Sequence, residues 1–136
     1  MKIGELAKKT GCDVETIRFY EKSGLLDEPV RTGSGYRDYQ ASHFERLQFI
    51  RRCRSLRIGL QDIRTLLGLQ ASPTAGCEHV NALLDQHIAA IQSQMAALRT
   101  LEEQLVALRR QCNEPHSVEE CAILQNLADR VVQGNR

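Results

Sequence analysis

Cysteine is the residue type in this 136-residue chain best placed to do chemistry. Cys77 and Cys112 stand thirty-five residues apart, and Cys121 follows Cys112 after eight intervening residues. Between Glu78 and Asn113 there is neither Gly nor Pro, whereas Pro73 and Gly76 precede that stretch and Pro115 follows it, so one continuous helix is predicted. At ~1.5 Å per residue such a helix parts the two sulfurs by about 50 Å. One chain cannot join them. Two chains packed antiparallel would set Cys77 of one beside Cys112 and Cys121 of the other, with Pro115 holding the loop that folds Cys121 back. Soft thiolates select thiophilic ions, and a three-sulfur set without a guaranteed fourth donor suits lead, cadmium or mercury better than zinc. Asn81, one turn after Cys77, and His116, inside the loop, are the fourth donors to consider if one is required. The spacing matches neither the short C-x-x-C pair of structural zinc sites nor the clustered cysteines of an iron–sulfur centre. Cys12 and Cys53 fall where packing is the expected role.

The helix that carries these residues shows a heptad. One seam position holds Cys77, Leu84, Ile91, Leu98, Leu105 and Cys112, and the other holds Val80, His87, Gln94, Leu101 and Leu108, the pattern of a dimerising coiled coil. His87 and Gln94 interrupt the seam, as polar residues that fix register do, and no cysteine within one turn of His87 marks it as a ligand. Residues 71–76 form a hinge before this arm, residues 77–112 the dimerisation helix, and residues 113–136 a metal-binding loop with a short helix.

Residues 1–70 read as a separate module. Ile3, Leu6 and Ala7 lie at helical spacing up to Thr10-Gly11, then Asp13 caps a second helix from Val14 to Ser23 that Gly24 closes. Two short helices joined by a Gly-containing turn predict a helix-turn-helix. On the second helix Thr16, Arg18, Tyr20 and Lys22 can reach phosphates and base edges, while Val14, Ile17 and Phe19 are expected to pack. After Pro29, the glycine-rich run from Arg31 to Tyr39 predicts a β-hairpin wing that presents Arg31, Tyr36, Arg37 and Tyr39 to a duplex. Ser42-His-Phe-Glu45 reads as a capping box opening a third helix through Phe44, Leu47, Ile50, Cys53 and Leu56. Its basic end, Arg51, Arg52, Arg54 and Arg57, can meet a phosphate, and Arg54 is taken as a DNA contact. Leu60, Ile63, Leu66 and Leu67 mark a fourth helix.

Charge divides the same way. Residues 1–70 hold 13 Lys and Arg against 9 Asp and Glu, and residues 71–136 hold 5 against 8, a basic front on an acidic back. No apolar run reaches the ~20 residues of a membrane span and no signal-peptide core opens the chain, so a cytoplasmic protein is expected. In that reducing compartment cysteines favour metal over disulfides. The fold expected is all-α dominated: a winged helix-turn-helix with a small hairpin wing, a long antiparallel dimerisation helix and a C-terminal metal loop. A metal-gated DNA-binding regulator accounts for both halves. A cytosolic metal-sequestering protein leaves the basic wing unexplained, and no nucleophile arrangement supports a thiol enzyme.

The runs Ile3-Gly-Glu-Leu-Ala7, Glu15-Thr-Ile-Arg-Phe-Tyr-Glu21 and Gly35-Tyr-Arg-Asp-Tyr39, with the cysteine-flanked helix, resemble the MerR family of metal-responsive transcription regulators. Cys53-Arg-Ser-Leu56, Cys77-Glu-His-Val-Asn81 and Cys121-Ala-Ile-Leu-Gln125 look like its lead- and cadmium-responsive branch. The resemblance implies a homodimer in which Arg18, Tyr20, Arg37 and Tyr39 contact promoter DNA and Cys77, Cys112 and Cys121 bind Pb(II) or Cd(II), ahead of Hg(II) or Zn(II). It also implies a promoter whose spacer is too long for RNA polymerase until the DNA is distorted. Two features differ from relatives of that kind: no histidine-rich run follows Cys121, and Asn113 stands where the zinc branch favours a second cysteine.

Overall fold

A computed structural model describes residues 1–129; the end of the expected C-terminal segment, 130–136, lies outside the described residues. Helices α1 (Ile3–Thr10) and α2 (Val14–Ser23) come first, then a hairpin of β1 (Val30–Arg31) and β2 (Arg37–Asp38). Helices α3 (Ala41–Ser55), α4 (Leu60–Gln70) and the long α5 (Glu78–Arg109) follow, and a 3-10 turn at Val118–Glu120 leads into α6 (Ala122–Ala128). The architecture is mostly helical with one small antiparallel hairpin, a winged helix-turn-helix followed by a long helix, as the sequence pattern predicts. Two compact units divide the chain, Met1–Leu83 and a second beginning at Leu84. The first turns of α5 therefore belong with the head, since Val80 shares an apolar cleft with Phe49, Leu66 and Leu69.

The head is built around α1. Gly11 takes a left-handed φ of 75° and donates its N–H to Ala7 O at 2.8 Å, which stops α1 and starts the turn. Gly24 does the same for α2 at φ 82°. Leu6, Ile17, Leu25, Leu26, Leu47, Ile50 and Ile63 close the core at almost zero exposure, each side chain contributing about 1.5–3 kcal/mol. Cys12 and Cys53 are buried among them, and burial pushes both thiols up from their ordinary pKa, consistent with packing.

Side chains from α3 and α4 tie down the ends of the other helices. Arg46 Nε donates to Leu25 O at 2.7 Å and Arg64 Nη2 to Ser23 O at 2.8 Å, both at the end of α2. Arg51 donates to Thr10 O at the end of α1, and Arg54 Nη1 donates to Ile58 O at 2.9 Å across the α3–α4 turn. Each guanidinium satisfies a carbonyl that a helix end or turn leaves without an intrahelical partner.

Three expectations change. Phe19, expected in the core, is half exposed, and Tyr20 packs in its place because Tyr20 lies three residues from Ile17 on the same face. The α3 cap forms earlier than Ser42: Gln40 is the N-cap, and its N–H donates to Nδ1 of buried His43 at 2.9 Å. The apolar stripe of α5 is wider than a two-position seam, because Ile88 and Met95 flank His87 and Gln94. No described residue of α5 is buried.

Gly11 combines a left-handed φ with a close neighbour. A Cβ there would lie 3.1 Å from Arg51 Nη1, in a conformation that costs an L-residue ~1–2 kcal/mol. Gly11→Ala is expected to lower the unfolding free energy by about that amount, read from the urea midpoint at unchanged slope.

Candidate functional site

Helix α2 turns one polar face outward. Glu15, Arg18, Phe19 and Lys22 are exposed at i, i+3, i+4 and i+7 spacing, and Thr16 is half-buried at its edge. Sequence reasoning singled out Arg18 and Lys22 but missed Phe19, which the 3.6-residue period could have placed on their side.

The hairpin pairs Val30 with Asp38 and Arg31 with Arg37. Gly35, at φ 87°, closes its turn, and Arg31 Nη1 donates to Gly35 O at 3.0 Å. The hairpin is anchored on both sides. Tyr39 donates its N–H to Met1 O at 2.8 Å, and the Met1 ammonium lies 2.7 Å from Asp38 Oδ1. That ammonium holds the Asp38 carboxyl below its usual range, first through the hydrogen bond and then through its charge. Tyr39 donates its hydroxyl to Glu21 on α2, and Arg37 Nη2 approaches the same carboxylate at 3.9 Å.

Two of the residues expected to contact DNA are buried. Tyr20 and Tyr39 turn inward, 7% and 1% exposed, so their rings belong to the core rather than to the outward surface. Burial pushes both phenols up in pKa, and for Tyr39 the Glu21 carboxylate adds to the effect. Arg54 is exposed, but it spends one Nη on Ile58 O. The geometry does gather Arg18, Arg31, Tyr36 and Arg37 around one cleft of about 320 Å³, with Lys2 from the start of α1 as a further lining residue.

The second cluster lies beyond α5. Cys112 follows the last turn of the helix, where Arg109 Nη1 donates to Cys112 O at 2.7 Å. Its thiol donates to Glu114 O at 3.4 Å. Cys121 is the N-cap of α6 and makes no side-chain capping hydrogen bond, although its sulfur feels the first backbone N–H groups of that helix. The Leu124 N–H does most to hold the Cys121 pKa below the ordinary cysteine value; burial opposes it, and the Ile123 N–H and then the Cys112 thiol add to the lowering. The loop thus brings Cys112 and Cys121 together, as its length and Pro115 predict.

Cys77 sits one residue before α5, exposed, on the rim of the cleft lined by Phe49, Leu66 and Val80. Asn81 is one turn along, its N–H bonded to Cys77 O at 2.9 Å, and His116 is exposed in the loop. No cluster of three His, Cys, Asp or Glu side chains suited to a metal occurs among the described residues. Among the described residues, the two expected ligands that come together are Cys112 and Cys121.

The profile described as MerR HTH family regulatory protein matches residues 1–69, and that described as MerR, DNA binding matches residues 44–108. The chain belongs to the MerR family. Similarity runs along most of its length. An HTH-type transcriptional regulator of Haemophilus influenzae, named as a ZntR homolog, is 44% identical over 80% of this chain and 81% of its own. The mercuric resistance operon regulatory protein of Bacillus cereus is 39% identical over 93% and 96%. The crystal structure of the transcription regulator PbrR691 from Ralstonia metallidurans CH34 in complex with lead(II) superposes with a TM-score of 0.87 at 50% identity, covering 94% of this chain and 99% of that one.

This MerR-family protein is a DNA-binding transcriptional regulator and not an enzyme. No helix among its described residues is long and apolar enough to cross a membrane. Its thiols differ in readiness to ionise. Because the Cys121 pKa is lowered, its thiolate fraction rises at lower pH than that of an ordinary cysteine, whereas Cys12 and Cys53 ionise only at higher pH. Alkylation of the metal-free protein, followed by peptide mapping, is expected to label Cys121 before Cys12 and Cys53 at neutral pH. The rate–pH midpoint of Cys121 should move slightly upward in Cys112→Ala, which removes the side-chain donor.

Proposed function

We propose that this metal-responsive regulator acts as an antiparallel homodimer that remains on one promoter and switches it on when Pb(II) or Cd(II) binds. The observation that carries the reading is the approach of the Cys112 and Cys121 sulfurs beside the start of α6, at the opposite end of α5 from Cys77. Two thiolates leave a soft ion short of donors. In the proposed dimer Cys77 of the second copy supplies the third, and Asn81 and His116 are the side chains available for a fourth position.

The uncovered stripe of α5 supports the second copy as partner. Leu84, Ile88, Ile91, Met95, Leu98, Leu101 and Leu105 are all exposed, and an antiparallel helix of the same sequence covers them end to end. Bound ion supplies sulfur bonds that tie the 113–121 loop of one chain to the start of α5 in the other. Cys121 suits this because its pKa lies below that of an ordinary cysteine, and the Pro115 loop keeps its sulfur near Cys112. Since residues 71–77 join that start of α5 to α4, a shift there is passed on to the head that holds the DNA.

A promoter with two surplus base pairs in its spacer turns one polymerase-recognition element by about 70° relative to the other at ~10.5 base pairs per turn. Bending and untwisting the duplex realigns them for RNA polymerase at a cost on the order of a few kcal/mol. The ion has only to bind the realigned dimer better than the resting one.

The lead assignment is supported by the likeness to the lead-bound regulator at 50% identity. Mercury is the second reading, favoured by the Bacillus cereus relative and by the three-sulfur set. The likeness to the ZntR homolog of Haemophilus influenzae keeps zinc among the candidate ions, although Asn113 offers zinc no sulfur.

In vitro transcription titrated with lead, cadmium, mercury and zinc is expected to rise at the lowest free concentration with lead or cadmium. Activation by mercury or zinc at a lower free concentration than either overturns the ion assignment. A heterodimer of a Cys77→Ser subunit with a Cys112→Ser subunit is expected to retain one intact site, read as half the metal stoichiometry of the parent dimer. Loss of both sites rules out sharing between chains. Operator gel shifts with and without metal separate the regulator from a sequestering protein, which would shift no DNA.

A further inference from the structure

The cleft between α1, α2 and the hairpin gathers more positive charge than its neighbours neutralise. Lys2, Arg18, Arg31 and Arg37 line it together with Tyr36, and none of its lining side chains is acidic. Arg37 reaches Glu21 only at 3.9 Å, and Arg31 is turned into the hairpin by its bond to Gly35 O. The Lys2 ammonium lies 5.6 Å from the centre of the Tyr36 ring, within the range at which a ring face attracts a cation. Lys2 is also the N-cap of α1, where the partial positive charge of the helix end adds to the field. Cations held this close repel one another, and an anion in the cleft reverses the sign of that interaction.

We propose that Lys2, steadied over Tyr36, closes with Arg31 and Arg37 around a single backbone phosphate of duplex DNA. The proposal rests on the DNA-binding reading and adds to it an anchor outside the recognition helix. The group is a phosphodiester rather than a base edge for two reasons. Cations dominate the lining, the Tyr36 hydroxyl being its one side-chain acceptor, and an ammonium is a point charge that grips phosphate from any direction. The start of α1 then holds the same strand as the hairpin, so that α1, the hairpin and α2 meet the backbone as one body. Such a contact carries no sequence information and sets where the head sits.

The test compares the full-length wild type with Lys2→Met and Lys2→Arg on operator and on unrelated duplex across a salt series. Lys2 is exposed, and thermal melts check that both variants keep the fold. Two phosphates per dimer correspond to a slope change of about 1.8 in log K against log salt. Between 50 and 200 mM salt, wild type is therefore expected to lose about tenfold more affinity than Lys2→Met. Lys2→Met should weaken both duplexes alike, and Lys2→Arg should restore the slope. A parental slope in Lys2→Met overturns the phosphate contact while leaving DNA binding intact, whereas failure of the wild type to bind any duplex overturns the DNA reading itself. Duplex should also shield Lys2 from acetylation; equal shielding by millimolar inorganic phosphate alone assigns the cleft to a free anion and overturns the proposal.

Discussion

A helix of 32 residues with no buried side chain is the constraint on which the rest of this molecule turns. Helix propensity alone contributes little to such a segment, since helices in proteins draw most of their stability from packing one apolar face. That face is present on α5, from Leu84 to Leu105, and it is uncovered in the single chain. A contiguous apolar surface of this length marks an interaction site. The proposed dimer follows from the demand to bury it, and the antiparallel direction follows from where the cysteines stand. In the proposed dimer, the covering that would stabilise α5 would also bring the thiols of two chains within reach. Stability and sensing would then share one surface, so a change in the coil ends cannot leave the heads unaffected.

The head is made to respond as a unit. Arg46 and Arg64 bind carbonyls at the end of α2, and Arg51 binds one at the end of α1, so the helix-turn-helix is fastened to α3 and α4 by charged donors as well as by apolar burial. Tyr39 and Arg37 meet at Glu21 and fasten the hairpin to α2. In the proposed mechanism, a head braced in this way would pass a rotation on to DNA instead of absorbing it.

Much of this is legible in the residues alone. Glycines at 11 and 24 mark helix ends because only glycine readily takes the left-handed conformation found there, and the glycine-rich run after Pro29 leaves little besides a hairpin. The absence of Gly and Pro over the long arm predicts α5 almost to its ends. The loop that joins Cys112 to Cys121 is readable from its length and its proline. Less legible are the roles of residues whose chemistry allows two uses. Arginine at 51 or 54 looks the same in sequence whether it faces a phosphate or a carbonyl, and tyrosine at 20 or 39 is suited both to a core and to a duplex. Phe19 and Tyr20 exchange places because adjacent positions differ by about 100° around a helix, and only packing against α1 and α3 decides which turns inward.

The order of residues by itself determined the elements, the turns between them and the set of sulfurs, because glycine conformations, apolar period and thiol chemistry are properties of single residues and their spacing. Tertiary structure decided which polar groups are spent inside the fold. It turned Tyr20 and Tyr39 inward, set Arg51 against Thr10, widened the α5 stripe with Ile88 and Met95, and laid Lys2 beside the hairpin. It also lowered the Cys121 pKa by seating that sulfur at the start of α6. Each of these depends on where distant segments meet, and local sequence carries no record of that until the core has closed.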